Sequence, residues 1–114
     1  MFQGVRETKE ERREAVSRSR SSLRSEGFAV SSSVRAGSRP RGRKPPDLLA
    51  ANGPRVVQVF VLLDPAVDAE ETRKRVAEAY RHGETRIFVR WPLRWRMLSN
   101  VARWGLRGVS VATW

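Results

Sequence analysis

Most groups in this 114-residue sequence that could engage a ligand are guanidiniums, and they are segregated along the chain. Residues 27–46 hold Arg35, Arg39, Arg41, Arg43 and Lys44 with no acid; residues 85–114 hold Arg86, Arg90, Arg94, Arg96, Arg103 and Arg107, again with no acid. The other basic residues cancel the 12 acidic ones, so these two segments account for the whole net charge of +11. A field of one sign attracts polyanions, and a guanidinium fork matches the oxygens of a phosphate. The second segment also interleaves charge with indoles, from Trp91-Pro-Leu-Arg-Trp95-Arg96 to Arg103-Trp104. Such a run can stack unpaired bases. More often tryptophan at helical spacing belongs to a core, and here Trp104 falls on an apolar stripe while Trp95 falls off it. Arg35, Arg39, Arg41, Arg43, Lys44, Arg90, Arg94, Trp95 and Arg96 are therefore candidate nucleic-acid contacts, with DNA favoured over RNA.

Other chemistries find little material. Without cysteine there is neither a disulfide framework nor a thiolate metal site. The one histidine, His82, sits near a helix C-terminus, where it reads as a cap-region residue. No Ser/His/Asp grouping and no phosphate-cradling glycine loop occurs. The longest apolar run, residues 56–63, is far too short to span a bilayer, and the N-terminus lacks a secretory pattern. The expectation is an intracellular protein, cytoplasmic or nucleoid-associated, with no membrane partner.

Those side chains need elements to position them. The length suits one domain over residues 1–114, with a basic Pro/Gly/Arg loop at 36–46. Residues 5–25 read as a helix with Val5, Arg12, Val16, Ser19 and Leu23 on one stripe, ended by Gly27. A strand runs from Phe28 to about Arg35, and another covers 47–51. Asn52-Gly53 signals a hairpin into 56–63, which is apolar on both faces and so reads as a central strand. Asp68 with Glu71 marks the start of a helix whose stripe is Ala69, Thr72, Val76, Ala79 and Tyr80, stopped by Gly83. Residues 85–91 alternate as a strand with Ile87, Val89 and Trp91 on one face. Pro92 opens a third helix with the stripe Leu93, Met97, Val101 and Trp104, which Gly105 ends, and residues 108–114 form a last strand. The fold class is α/β (α+β): a mixed central sheet flanked by helices, in the order αβββαβαβ.

That order, with the helix-to-strand junction Ser25-Glu26-Gly27-Phe28-Ala29-Val30, Pro46-Asp47 opening the second strand and Gln58-Val59-Phe60 in the third, resembles the core of the PD-(D/E)XK nuclease superfamily, which includes restriction endonucleases and Holliday-junction resolvases. The resemblance implies that Asp47 and the residue at Gln58 would bind Mg²⁺, that a lysine would stand at Phe60, and that dimers are common. Gln58 brings no charge to hold Mg²⁺ against its hydration shell, and Phe60 cannot stabilise a developing phosphate charge. A displaced lysine, Lys74, or a first-helix acid among Glu7, Glu10, Glu11 and Glu14 would have to compensate. The expected function is nucleic-acid binding on a degenerate nuclease-like scaffold without a cofactor. The alternatives are a divergent Mg²⁺ nuclease using Asp47 and Gln58, and a basic structural or assembly protein. Separately, Arg39-Pro40-Arg41-Gly42-Arg43-Lys44-Pro45 is similar to an AT-hook, although Lys44 interrupts the motif; the plainer expectation is a basic loop touching phosphates.

Overall fold

The computed structural model describes residues 3–32 and 45–114. Helix α1 (Gln3–Ser25) leads into strand β1 (Ala29–Ser32), followed by β2 (Leu48–Asn52) and β3 (Arg55–Val61). Helix α2 (Glu70–His82), β4 (Thr85–Val89), α3 (Arg94–Arg103) and β5 (Ser110–Thr113) complete the chain, with short 3-10 turns at Asp64–Ala66 and Trp91–Leu93. The strands lie in sequence order β1-β2-β3-β4-β5. The first two pairings are antiparallel and the last two parallel. The mixed sheet and the order of elements match the expectation. The basic residues Arg35, Arg39, Arg41, Arg43 and Lys44, and with them the AT-hook-like motif, lie outside the described residues.

Apolar residues on both faces of β3 and β4 demand cover on both sides, and the helices supply it. Leu48, Ala50, Val57, Val59, Val61 and Phe88 pack with Phe28 against Ala15 and Leu23 of α1. On the opposite face, Phe60, Leu62, Ile87 and Val89 meet Val76 and Ala79 of α2 and Met97 and Val101 of α3. The domain therefore has three layers: one helix, the sheet, two helices.

Two glycines set where helices end, and both do it the same way. After α1, Gly27 has φ of +95°, and the amides of Gly27 and Phe28 donate to Arg24 O (3.0 Å) and Leu23 O (3.1 Å). After α3, Gly105 has φ of +76°, and the amides of Gly105 and Leu106 donate to Ala102 O (3.1 Å) and Val101 O (2.9 Å). These are Schellman motifs, which join the residue after the glycine to one in the last helical turn. Leu23 and Phe28 share the first core, and Val101 and Leu106 the second, so each motif is also a packing contact. In the β2–β3 hairpin, Asn52 pairs with Arg55, leaving Gly53 (φ +61°) and Pro54 as the loop. Glycine in the first loop position is what a tight II′ turn requires, and Pro54 follows it without disturbing the pairing.

The second helix begins differently from the expected cap. Ala69 is its N-cap and makes no side-chain bond. Asp68 instead accepts from Asn100 Nδ2 at 2.8 Å and from Arg96 Nε at 3.1 Å, fastening α3 to the loop before α2. Trp91 has also left β4, which ends at Val89, and its side chain is 63% exposed. The proline after it explains this: residue 92 cannot donate to a ladder and starts a helical turn.

The inner face of α1 supplies a test. Leu23 is fully buried, whereas the hydroxyl of Ser19, equally buried, has no hydrogen-bond partner. Leu23→Ala should cost about 2–5 kcal/mol. Ser19→Ala should be neutral or stabilise by up to about 1 kcal/mol, since it removes a desolvated hydroxyl. Urea unfolding of both variants measures the contrast; a large loss on Ser19→Ala would show that the hydroxyl is satisfied.

Candidate functional site

Strand β2 stops at Leu48, whereas β3 continues to Val61, so Val61 runs past its neighbour. Alternation fixes which way its backbone points. Gln58 N and Leu62 N donate to β4 and its lead-in (Glu84 O and Phe88 O, both 2.9 Å), so the odd residues of β3 face β2. At Val61 two side chains replace the missing strand. Its N–H donates to Asp47 Oδ2 at 2.7 Å, and its carbonyl accepts from Arg12 Nη1 at 2.7 Å. Arg12 Nη2 closes the ring by donating to Asp47 Oδ1 at 2.5 Å. Arg75 of α2 completes the cluster, with Nη2 3.6 Å from Asp47 Oδ1 and 3.0 Å from Pro45 O, and its guanidinium carbon 5.0 Å from the Phe60 ring centroid.

The candidate metal residues are thus not brought together. Asp47 has one oxygen committed to Arg12 and the other to Val61. Gln58 pairs across the ladder with Leu49, two residues beyond Asp47, and its Nε2 donates to Ala79 O of α2 at 2.7 Å. Lys74 is exposed on α2 beside Glu70; the cation of that helix that approaches Asp47 is its neighbour Arg75. Glu11 and Glu14 lie elsewhere, lining a crevice of about 380 Å³ with Asp64, Arg90 and Trp114. Glu10 is exposed, and the side chain of Glu7 is outside the described residues. Among the described residues no group of three or more His, Cys, Asp or Glu could hold a metal ion. A carboxylate between two guanidiniums, next to a phenylalanine, does not suit a hard divalent cation, which wants several anionic oxygens.

Sequence reasoning missed Arg75 and the role of Arg12. A signal for Arg12 existed: it occupies the inward stripe of α1, where a cation needs a buried or half-buried partner. Nothing in the sequence distinguished Arg75 from the other arginines of α2.

The acid-free segment 85–114 borrows acids from the rest of the chain. Arg86 meets Glu26 at 3.0 Å and lies over Phe28, Arg90 meets Asp64 at 2.6 Å, and Arg96 meets Asp68 at 2.5 Å. Arg103 donates to Asn100 Oδ1 at 2.7 Å. Arg94 stands over the Trp95 ring, 5.1 Å from its centroid. Arg86 is near the start of β4, and Arg90 just past its end. The segment therefore splits between the two ends of the sheet, with Arg90, Arg94, Trp95 and Arg96 together at one of them. The hydrogen bond from Arg90 holds the Asp64 carboxyl below its ordinary pKa, that from Asn100 and then Arg96 does so for Asp68, and that from Arg55 for Glu84. His82 is exposed, with Nε2 3.5 Å from Glu78 Oε1 one turn earlier. No described helix is long and apolar enough to cross a membrane.

The chain matches no family model, no curated protein and no solved structure.

Two tests follow from these contacts. Arg12→Ala leaves the Val61 carbonyl and one Asp47 oxygen without their donor, and should cost about 1–3 kcal/mol. A double-mutant cycle with Asp47→Asn should show coupling of about 0.5–3 kcal/mol; additive losses would deny the bridge. The pH response has a definite sign. Carboxyls whose folded pKa is lowered stabilise the fold above their unfolded pKa, and lose that contribution as pH falls through the folded value. Thermal stability should therefore drop on acidification from about pH 4 downward, less steeply in an Asp64→Asn, Glu84→Gln variant.

Proposed function

We propose that this protein binds nucleic acid through arginine–phosphate contacts and does not cleave it, on a scaffold resembling a restriction endonuclease core. The observation that carries the reading is the charge surplus together with how the acids are spent. Asp47, Asp64, Asp68, Glu26 and Glu84 each face a guanidinium, so their charge is neutralised locally while the net +11 remains. The ion pairs at Arg90 and Arg96 are exposed, and such pairs are worth little in water, on the order of 0–1 kcal/mol. A phosphate can replace the carboxylate at small cost, so Arg90 and Arg96 remain available to a backbone, alongside Arg94.

Two features support the scaffold: the αβββαβαβ order with its antiparallel-then-parallel sheet, and the position of Asp47 at the mouth of β2. The same aspartate supports the absence of cleavage. Hydrolysis by a metal-bound water needs carboxylate oxygens free for the cation and a cation poised at the leaving phosphate. In this chain Asp47 braces the sheet and Phe60 is buried beneath Arg75.

Log affinity for a DNA oligonucleotide should fall against log salt with a slope on the order of −4 or steeper, for five or more neutralised phosphates. Asp64→Asn with Asp68→Asn frees Arg90 and Arg96 and should raise affinity. Neither Mg²⁺ nor Mn²⁺ should elicit cleavage of duplex, branched or single-stranded substrates. A flat salt response would remove the binding reading, and nicking that disappears in Asp47→Ala would replace it with an enzyme.

A further inference from the structure

Trp91 and Trp95 are 63% and 68% exposed, and packing does not account for them. The other two indoles behave as core residues: Trp104 packs against the cluster under α2 and α3, and Trp114 against the cluster under α1. The turn Trp91–Leu93 runs directly into α3 at Arg94. Trp91, Arg94 and Trp95 thus lie within five residues of one another at the corner where the 3-10 turn meets the N-cap of α3. The guanidinium of Arg94 lies over the Trp95 ring, and Arg90 and Arg96 flank the group in exposed ion pairs with Asp64 and Asp68.

We propose that this corner is a stacking platform for unpaired bases, so that the protein prefers single-stranded nucleic acid, or a single-stranded stretch beside duplex, over continuous duplex. The proposal rests on the nucleic-acid reading above and names its substrate class. Inside a duplex each base is covered by its neighbours, and only an unpaired base offers its π-face to an indole. Arginine at the ring extends the stack with a cation and reaches the adjoining phosphate. Charge decides between occupants. A second copy of this chain would bring another +11, and the patch itself holds Arg90, Arg94 and Arg96 against Asp64 and Asp68, so a polynucleotide complements it better.

The test uses the full chain, a fluorescently labelled thymidine homopolymer, and a duplex of equal length, read by anisotropy at one salt concentration. The unmodified protein should bind the single strand more tightly and show quenched tryptophan emission on doing so. Trp95→Ala, and Trp91→Ala with Trp95→Ala, should weaken single-strand binding by about tenfold per ring, leaving duplex affinity, salt slope and melting temperature nearly unchanged. Trp95→Phe should keep most of the affinity, because the stacking face survives. If the double variant binds the single strand as well as the parent does, or loses both ligands equally, the platform is refuted while the nucleic-acid reading stands. If the parent binds neither ligand, that reading fails as well. Self-association that the double variant abolishes would then assign the corner to a second copy.

Discussion

A strand that outruns its neighbour leaves backbone groups pointing at nothing, and in this fold the problem falls at Val61. The N–H and carbonyl that would have paired with β2 are met by Asp47 and Arg12, which also bond to each other. An unpaired backbone group costs about as much as a lost hydrogen bond, so the ring of three contacts can stand in for one rung of the ladder. Its consequence is wider than one rung. Arg12 belongs to α1, Asp47 to the start of β2, Val61 to β3, and Arg75, the fourth member, to α2. One carboxylate thereby connects the helix on one face of the sheet to a helix on the other, around the strand that both cores share.

This use of Asp47 also determines what the site can do. A carboxylate serves a metal through the same lone pairs that it gives to hydrogen bonds, and these are taken by a guanidinium and an amide. The cluster contains two guanidiniums and one carboxylate before any ligand arrives, so its charge favours an anion over a cation. Replacing Phe60 alone would not change that, because Arg12 and Arg75 would still hold Asp47. The route from this arrangement to metal chemistry runs through several residues at once, and loss of the bridging ring would be felt by the fold.

Much of the architecture was legible because it rests on local rules. Gly27 and Gly105 were readable as helix ends, since only a residue that tolerates positive φ can make those motifs, and the apolar run of β3 required cover on both faces. What was not legible depended on partners distant in sequence. Asp68 has the type and spacing of a helix cap, but Asn100 and Arg96, about thirty residues later, compete for it and win. Trp91 continued an alternating pattern, yet Pro92 ended the strand before it. Gln58 was expected beside Asp47 only through the family resemblance; in the fold it pairs across the ladder with Leu49, and α2 supplies Ala79 O for its amide. Lys74 was the one candidate cation of α2, but helical phase relative to the sheet, set by burial of Thr72, Val76 and Ala79, turns its neighbour Arg75 toward Asp47 instead.

The placement of charge on the finished fold sets a direction of approach for a polyanion. Beyond the C-terminal ends of the parallel strands, on the α1 side, a crevice is lined by Glu11, Glu14, Asp64, Arg90 and Trp114. Three carboxylates against one guanidinium make it a poor seat for phosphate. Arg90 stands at its margin, next to the turn that carries Trp91, Arg94 and Trp95. On the proposed nucleic-acid reading, a strand tracking positive potential would be turned away from the acidic side near α1 and toward the start of α3. There the chain presents the guanidiniums of Arg90, Arg94 and Arg96 and two exposed indoles. Helix α3 is held to the loop before α2 by Arg96 near its start, which pairs with Asp68, and by Asn100 in its second half, which donates to Val67 O at 3.0 Å and to Asp68, so Trp95 is carried on an anchored element. A rigid support means that less conformational freedom is lost when a base stacks, which makes two exposed rings there a more effective contact than the same rings on a loose loop.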